Sequence, residues 1–187
     1  MDDIVRAAAR IIRQGGVILY PTDTIWGIGC DATNFEAVQR VYNIKKRPDR
    51  KSMLVLMNEP AMLYLYLEHV PEKALELIRK AEKPTTIIYP GAKNVARNLP
   101  ARDGSIGIRI TDDPFCKKLI ESAGTPIVST SANISGDPSP RNFKEIAMEI
   151  RNMVDHVVNW RRQEKITAIP STVIKIDIKG GMEIIRS

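Results

Sequence analysis

The chain of 187 residues carries 28 lysine and arginine residues against 22 acidic ones, a formal net charge of +6 at neutral pH. Its hydrophobic fraction of 43% is ordinary for a globular domain, and no apolar run approaches the roughly 20 residues that span a bilayer. The N-terminus lacks the apolar core of a signal peptide. We therefore expect one cytoplasmic domain over residues 1–187, with a positive charge that suits a nucleotide, an RNA or an acidic metabolite.

The cysteine and histidine residues exclude the common protein metal sites. Cys30 and Cys116 occur singly, without CxxC spacing, and His69 and His156 are far apart in the sequence. This pattern predicts reduced core cysteines and no metal held by a cluster of protein ligands.

Helical and strand patterns alternate along the chain, which predicts an α/β fold. The predicted helices cover residues 2–14, 34–46, 71–83, 114–123 and 143–152. The predicted strands cover residues 17–20, 52–57, 86–89, 105–110, 126–129 and 157–160, with a closing hairpin of 171–177 and 182–186. The polar segment 161–170 is predicted to be a loop, and we hypothesise that it closes over a site as a lid.

The most informative polar stretch follows the strand at 126–129. Residues 129–141 read STSANISGDPSPR, with many hydroxyl and amide donors and a single acid, Asp137. Ligands of open α/β sheets bind beyond the ends of strands, and convergent donors suit a phosphate or a carboxylate. The same residues are equally typical of a polar loop that makes its own turns.

A second polar stretch follows the first strand. Residues 20–30 read YPTDTIWGIGC, which contains neither the GxGxxG fingerprint nor a P-loop. Its threonines and spaced glycines suit either a binding loop or an ordinary connection from a strand to a helix.

A cluster of five cations stands at the end of the second predicted helix, in the run KKRPDRKS at residues 45–52. Cations at this position complement the helix dipole as part of a solvated face. Because Pro48 breaks the helix within the run, Lys45 and Arg47 can instead point into a cleft and hold a polyphosphate. In the second case, Lys45→Ala and Arg47→Ala would abolish activity and leave stability nearly unchanged.

Arg109 lies in the apolar strand SIGIRI, and a buried arginine requires an anionic partner. The partner is either a core carboxylate or the carboxylate of a ligand, and we favour the ligand. Ser171 and Arg186 are weaker candidates for a site. By themselves they indicate only the start of a strand and the end of the chain.

These segments together resemble the YrdC-type threonylcarbamoyl-AMP synthase family. The similar segments are YPTDTIWGIGCDA at 20–32, KKRPDRKS at 45–52, SIGIRITDDP at 105–114, STSANISGDPSP at 129–140 and PSTVIKI at 170–176. The resemblance implies an α/β fold with a twisted mixed sheet, helices on both faces and a basic cavity. It also implies that L-threonine, bicarbonate and ATP are converted to threonylcarbamoyl-adenylate and pyrophosphate, for the modification of tRNA by other proteins.

The resemblance assigns roles to particular residues. It implies that catalysis depends on Lys45, Arg47, Ser131 and Asn133. It implies that threonine is bound by Thr24, Arg109, Ser129 and Ser171. It implies that ATP is bound by Arg47, Lys51, Ser105, Ser131, Asn133, Ser139 and Arg186. Mg²⁺ is expected to bridge the phosphates through ligand and water oxygens.

Four departures from the family pattern leave alternatives open: a missing glycine within 82–86, Ser52 in place of proline, Leu56 where longer relatives have histidine, and Trp26 in place of a smaller aromatic residue. One alternative is a drifted relative that binds double-stranded RNA, tRNA or a nucleotide without catalysis, with salt-dependent affinity for RNA. Another is a carbamoyl-adenylate enzyme similar to a domain of hydrogenase maturation proteins. The aromatic content of 5% disfavours binding of single-stranded RNA.

Overall fold

A nine-stranded mixed sheet organises the part of the chain that the structure describes. The computed structural model describes residues 1–47, 53–164 and 171–186. The strands are β1 Ile18–Tyr20, β2 Gly27–Gly29, β3 Leu54–Met57, β4 Thr85–Tyr89, β5 Ile106–Ile110, β6 Ile127–Ser131, β7 His156–Val157, β8 Thr172–Ile176 and β9 Met182–Arg186. Their order across the sheet is β7-β1-β2-β6-β3-β5-β4-β8-β9. The pairs β1/β7, β3/β5 and β4/β8 are parallel, and the other neighbours are antiparallel.

The helices begin and end where the sequence supplies caps. They are α1 Asp2–Arg13, α2 Phe35–Ile44, α3 Leu63–Tyr66, α4 Glu72–Lys80, α5 Pro114–Ala123 and α6 Met148–Met153. The side chain of Asn34 accepts from the backbone N–H of Ala37 and caps α2. Asp113 caps α5 in the same way, and Gly124 ends that helix with φ at 73°.

Two apolar cores lie on opposite faces of the sheet, because successive side chains of a strand point to opposite faces. On one face, α1 and α5 pack over strand residues that include Ile18, Leu56 and Ile127. On the other face, residues of α2, α3, α4 and α6 pack over strand residues that include Val55 and Ile108. The predicted α/β fold with helices on both faces is therefore confirmed.

The prediction of one helix over residues 143–152 is wrong. A 3₁₀ turn, Phe143–Glu145, is followed by extended backbone at Ile146 and then by the separate helix α6. Arg151 donates to the carbonyl oxygens of Phe143 and Lys144, which a continuous helix would pair internally. Ile146 turns into the core instead, where it is buried.

The segment after β1 forms a strand rather than a connection to a helix. β2 pairs antiparallel with both β1 and β6. A Cβ at Gly29 would lie 2.6 Å from the carbonyl oxygen of Val128 and from the ring of Tyr20, so glycine permits the close approach of three strands. β6 also extends beyond the predicted end at 129 to Ser131, while Pro60–Met62 and α3 were not predicted.

Candidate functional site

One face of the sheet is only partly covered by helices. Leu56 of β3 lies opposite both Arg109 and Ile127, so Arg109 is on the face that α1 and α5 cover. Further along this face, Leu54, Gly107 and Ser129 lie beyond the helices and line a cavity of about 380 Å³. The cavity is therefore the uncovered half of the sheet face that carries α1 and α5.

Two glycines keep the floor of this cavity flat. A Cβ at Gly107 would be in ordinary van der Waals contact, 3.5 Å from Thr86 and 3.7 Å from Leu54. A Cβ at Gly27 would lie 3.2 Å from the hydroxyl of Ser129. Packing alone does not require glycine at position 107, and the missing side chain leaves room for a ligand close to the backbone.

The cavity wall is rich in cations and hydroxyl groups. Arg47, Arg109 and Arg186 line it together with several serine and threonine residues. Arg186 donates from Nε and Nη2 to the carbonyl oxygen of Ser171, at 3.1 and 2.8 Å. The hydroxyl of Ser171 is 2.9 Å from that of Thr86, which ties β8 to β4 at the edge of the cavity.

The end of α2 separates Lys45 from Arg47. The backbone N–H of Arg47 donates to the carbonyl oxygen of Tyr42, and that of Lys46 donates to the carbonyl oxygen of Asn43. These two bonds form a Schellman motif, with Lys46 in the left-handed conformation at φ 48°. This tight turn redirects the chain so that Arg47 reaches the cavity. Pro48, to which the sequence assigned the break, lies with residues 49–52 outside the described residues.

Lys45 lies beneath the polar loop that follows β6. Its Nζ donates to the carbonyl oxygens of Ser131 and Asn133, at 2.5 and 2.7 Å, and the residue is 1% exposed. Burial, with a smaller contribution from the charge of Arg47, lowers the pKa of Lys45 to about 8. Lys45 holds the turn that carries Ser131, and one of its three N–H groups is not used in these two bonds.

Asn133 braces the same loop from within. Its Nδ2 donates to the carbonyl oxygens of Ile134 and Asp137, at 2.9 and 2.8 Å. Its Oδ1 is buried and has no hydrogen-bond partner among the described residues. Ser131, which precedes this turn, lines the cavity directly.

Arg109 forms a buried ion pair with a carboxylate of this chain. Its Nη2 lies 2.9 Å from Oδ1 of Asp23 and 3.3 Å from the hydroxyl of Thr24. Arg109 is 3% exposed, and its Nε is buried without a partner among the described residues. Burial, together with the nearby Asp113, raises the pKa of Asp23, while Arg109 opposes this shift. The core carboxylate that the sequence left as an alternative is therefore present, and the guanidinium retains an unused donor.

The structure brings most of the expected site residues to one cavity. The residues that line it are Thr24, Arg47, Arg109, Ser129, Ser131, Ser139, Ser171 and Arg186. Lys45 and Asn133 lie behind the wall and support it. Ser105 does not line this cavity, because its hydroxyl donates to Asp103 at 2.6 Å and it faces a neighbouring cavity instead. Lys51 lies outside the described residues.

Several residues that line the cavity were not predicted from the sequence. Thr86, Gly107 and the apolar side chains of Leu54, Ile88 and Val173 contribute to the floor. The sequence did offer one signal for Gly107. Side chains alternate between the two faces of a strand, so Gly107 lies on the same face of β5 as Arg109.

The departures from the family pattern have structural explanations where they are described. Leu56 is fully buried beneath α1 and α5, so it packs in the core rather than in the cavity. Trp26 is buried, and its ring centroid lies 4.9 Å from that of Phe143. Thr86, in the segment that lacks glycine, supplies the hydroxyl that meets Ser171. Ser52 lies outside the described residues.

The predicted lid is described only at its start. Arg161 donates to Asp113 at 2.7 Å and to Glu164 at 2.6 Å, and its Nη1 lies 3.4 Å from the carbonyl oxygen of Thr22. These contacts join the segment to the loop that carries Thr24. Residues 165–170 lie outside the described residues, and closure of the segment stays a prediction.

Within residues 1–47, 53–164 and 171–186, no helix is long and apolar enough to cross a membrane. The same ranges contain no group of three histidine, cysteine or acidic side chains placed to hold a metal ion.

The fold and the cavity define the class of protein. It is a mixed α/β protein whose sheet presents arginine, hydroxyl groups and flat glycine positions to a cavity, a lining that suits a small anionic ligand. Arg109 suits a carboxylate, and the wall formed by Arg47 and the serines of β6 suits phosphate oxygens.

Comparisons with known proteins agree with this class. A family model for Sua5, YciO and YrdC, described as telomere recombination, matches residues 10–187. The threonylcarbamoyl-AMP synthase of Stutzerimonas stutzeri (strain A1501) is 33% identical over 156 residues, 83% of this chain and 84% of that protein. The crystal structure of E. coli YciO has a TM-score of 0.86 at 27% identity, over 100% of this chain and 90% of that one.

The chain belongs to the Sua5/YciO/YrdC family. The crystal structure of P. abyssi Sua5 complexed with L-threonine has a TM-score of 0.84 at 28% identity. This likeness covers 92% of the present chain and 50% of the Sua5 chain, so the present chain spans half the length of that relative.

Proposed function

We propose that this protein is a threonylcarbamoyl-AMP synthase. The proposal rests chiefly on one observation: a single cavity unites Arg47 and Ser131, which suit phosphates, with Arg109 and Thr24, which suit an amino-acid carboxylate. The family membership and the synthase relatives support an enzyme over a binding protein without catalysis. The Sua5 complex with L-threonine supports the choice of amino acid.

The proposed reaction joins three substrates without a covalent enzyme intermediate. The amine of L-threonine attacks the carbon of bicarbonate, and loss of water gives a carbamate. A carbamate oxygen then attacks the α-phosphorus of ATP, and the bond to the β-phosphate oxygen breaks to release pyrophosphate. The protein contributes by positioning anions that repel one another and by stabilising charge on the phosphates.

The proposed roles of the cations follow from where they lie. Arg47 faces the cavity and would contact the phosphates as they are displaced. Lys45 would act from behind the loop that follows β6. It would hold the turn that carries Ser131 and add positive potential to the cavity. Asn133 would fix the loop through its bonds to Ile134 and Asp137.

The threonine site would lie at the opposite side of the cavity. Arg109 would bind the carboxylate, and Thr24, Ser129 and Ser171 would offer hydroxyl groups to the amine and the side chain. ATP contacts from Ser139 and Arg186 fit their places in the cavity wall, whereas a contact from Ser105 would require its bond to Asp103 to open.

Mg²⁺ is part of the proposal as a companion of ATP. The cavity offers hydroxyl groups and guanidinium groups rather than a cluster of carboxylates, so it fits a cation held mainly by phosphate and water oxygens. Bound in this way, Mg²⁺ would neutralise phosphate charge. In the loop that follows β6, Oδ1 of Asn133 and Oγ of Ser135 are buried oxygens that lack a hydrogen-bond partner among the described residues.

The adenylate product implies partners and a location. Its activated threonylcarbamoyl group would be consumed by proteins that transfer it to tRNA, and we place these events in the cytoplasm. Direct binding of tRNA or double-stranded RNA by this chain is a weaker alternative. Such a protein would bind RNA with an affinity that falls steeply as the salt concentration rises, and it would catalyse no reaction.

Pyrophosphate release tests the proposal. The protein is incubated with ATP, Mg²⁺ and bicarbonate, with L-threonine, L-serine, glycine or no amino acid. We expect release that requires L-threonine and is weaker with the other two. Absence of threonine-dependent release from a folded, ATP-binding protein would overturn the proposal.

A further inference from the structure

We propose that Asp23 is a positioning residue for threonine recognition, because it holds the guanidinium of Arg109 in the orientation that presents a free donor to the substrate carboxylate. The inference deepens the proposed function and rests on it. Asp23 is set apart from the expected site residues, since it does not line the cavity, although its neighbours Thr22 and Thr24 do.

The loop that carries Asp23 is braced from several directions. The hydroxyl of Thr22 donates to the carbonyl oxygen of Ile25 at 2.8 Å and accepts from the backbone N–H of Thr24 at 3.1 Å. The Sγ of Cys116 lies 3.6 Å from the carbonyl oxygen of Pro21. A loop fixed by these bonds can hold a carboxylate at a set place beside Arg109.

Asp23 is the one acid that pairs with Arg109 among residues 1–47, 53–164 and 171–186. The carboxylate of Asp113, which lies close enough to Asp23 to affect its pKa, pairs with Arg161 at 2.7 Å and caps α5 through the N–H of Cys116. The buried Arg109 and the half-buried Arg161 therefore have separate acidic partners, and Asp23 is the acid placed to orient Arg109.

The guanidinium is only partly used by these contacts. Nη2 is engaged by Asp23 and Thr24, whereas Nε is buried and lacks a partner among the described residues. A planar guanidinium offers its donors along fixed directions, so a contact that holds one terminal nitrogen also fixes the direction of the other. Because Asp23 holds Nη2, Nη1, which has no partner among the described residues, is the terminal nitrogen that can face a carboxylate in the cavity.

A purely structural role for Asp23 makes a different prediction. If Asp23 only neutralised a buried charge, its loss would destabilise the protein and weaken every ligand alike. If Asp23 positions Arg109, its loss would weaken ligands that carry a carboxylate and spare those that do not.

The test compares two ligands that differ in this one group. Binding of L-threonine and of L-threoninol, which has an alcohol in place of the carboxylate, is measured by calorimetry for wild type, Asp23→Asn and Asp23→Glu. Asp112→Asn is the matched control, because Asp112 forms an exposed ion pair with Lys117. Thermal unfolding of each variant reports on the fold.

We expect Asp23→Asn to weaken L-threonine binding about ten-fold or more, with L-threoninol and ATP changed less than about two-fold. Asp23→Glu keeps the charge but displaces it, so an intermediate loss is expected, and it supplies the measurement if the asparagine variant does not fold. Asp112→Asn should match wild type.

The inference is overturned if the affinity for threonine is unchanged in folded Asp23 variants, or if threonine and threoninol weaken by the same factor. Wild-type protein that binds no L-threonine would overturn the proposed function and this inference together. That failure is visible in the wild type alone, so it is distinguished from a failure of the Asp23 role.

Discussion

The ammonium group of Lys45 donates to the carbonyl oxygen of Ser131 at 2.5 Å, so a buried cation at the end of α2 supports the strand end that lines the cavity. The partner bond to Asn133, at 2.7 Å, completes this support. Lys45 therefore has a structural role in addition to the charge that the sequence motif suggested.

Lys45→Ala is expected to abolish turnover and also to destabilise the protein by about 2–4 kcal/mol, because two part-buried carbonyl oxygens lose their donor. Urea unfolding monitored by circular dichroism would measure the loss. This expectation replaces the one drawn from the sequence, in which stability was spared.

Arg47→Ala is the matched comparison for this prediction. Arg47 lines the cavity and is partly exposed, so its truncation is expected to abolish turnover with less than about 1 kcal/mol of destabilisation. Equal destabilisation by the two substitutions would contradict the different roles assigned to Lys45 and Arg47.

The activity of the free enzyme should fall as the pH rises through about 8. Burial lowers the pKa of Lys45 to about 8, so the ammonium is charged below this pH and becomes neutral above it. Because kcat/KM reports the ionisation of the free enzyme, kcat/KM for ATP should decline on the alkaline side. Bound phosphates favour the charged form, so kcat should hold to a higher pH.

Lys45→Arg separates this titration from other alkaline effects. Arginine stays charged throughout the range, so the variant should lose the decline near pH 8 even if its overall activity is lower. A decline in kcat/KM that persists unchanged in Lys45→Arg would assign the titration to another group.

Gly107→Val should block ligand binding without unfolding the protein. A Cβ at position 107 meets only ordinary contacts, with Thr86 at 3.5 Å and Leu54 at 3.7 Å, and a larger side chain would extend over the cavity floor. We expect ATP and threonine affinity to fall about ten-fold or more, with stability changed by less than about 1.5 kcal/mol. Calorimetric titration and thermal unfolding measure the two quantities.

Gly29→Ala is the contrasting variant. Its Cβ would lie 2.6 Å from both Val128 and Tyr20, so strands must separate and the protein should lose about 1–3 kcal/mol of stability. If Gly107→Val were instead the more destabilising of the two, the cavity floor would be a packing surface rather than a ligand site.

Lys46→Gly should be more stable than Lys46→Ala by about 1 kcal/mol, the reverse of the usual order within a helix. Lys46 has a φ of 48°, a conformation that glycine adopts without strain. Both variants remove the exposed ion pair with Glu149 at 3.2 Å, so their difference isolates the backbone effect. Chemical denaturation of both proteins tests the order, and equal stabilities would contradict it.

Local patterns predicted the fold well where caps and periodicity agreed. The bounds of α5 follow from Asp113 and Gly124, and those of α2 follow closely from Asn34. The same rules failed at residues 143–152, where Arg151 competes for helix carbonyls from eight and seven residues away. They also missed β2, because a strand of two glycines and one isoleucine depends on its partners rather than on its own propensity.

The sequence predicted the types of residue at the site better than it predicted the contacts between them. Polar motifs identified the arginine and serine residues that line the cavity, since these residues are unusual at the ends of apolar strands, but they missed most of its threonine, glycine and apolar residues. Their contacts depend on long-range pairing: Arg109 meets Asp23, and Lys45 meets Ser131, across more than eighty residues of sequence. The Schellman turn at Lys46, which lacks the usual glycine, gave no sequence signal.

The carbon of bicarbonate provides the most direct test of the proposed reaction. The protein is incubated with isotopically labelled bicarbonate, L-threonine, ATP and Mg²⁺, and the products are separated and identified by mass spectrometry. We expect one product that contains the labelled carbon, threonine and AMP, formed by the wild type and lost in Gly107→Val. A wild-type protein that binds ATP and threonine but never joins the labelled carbon to AMP would contradict it.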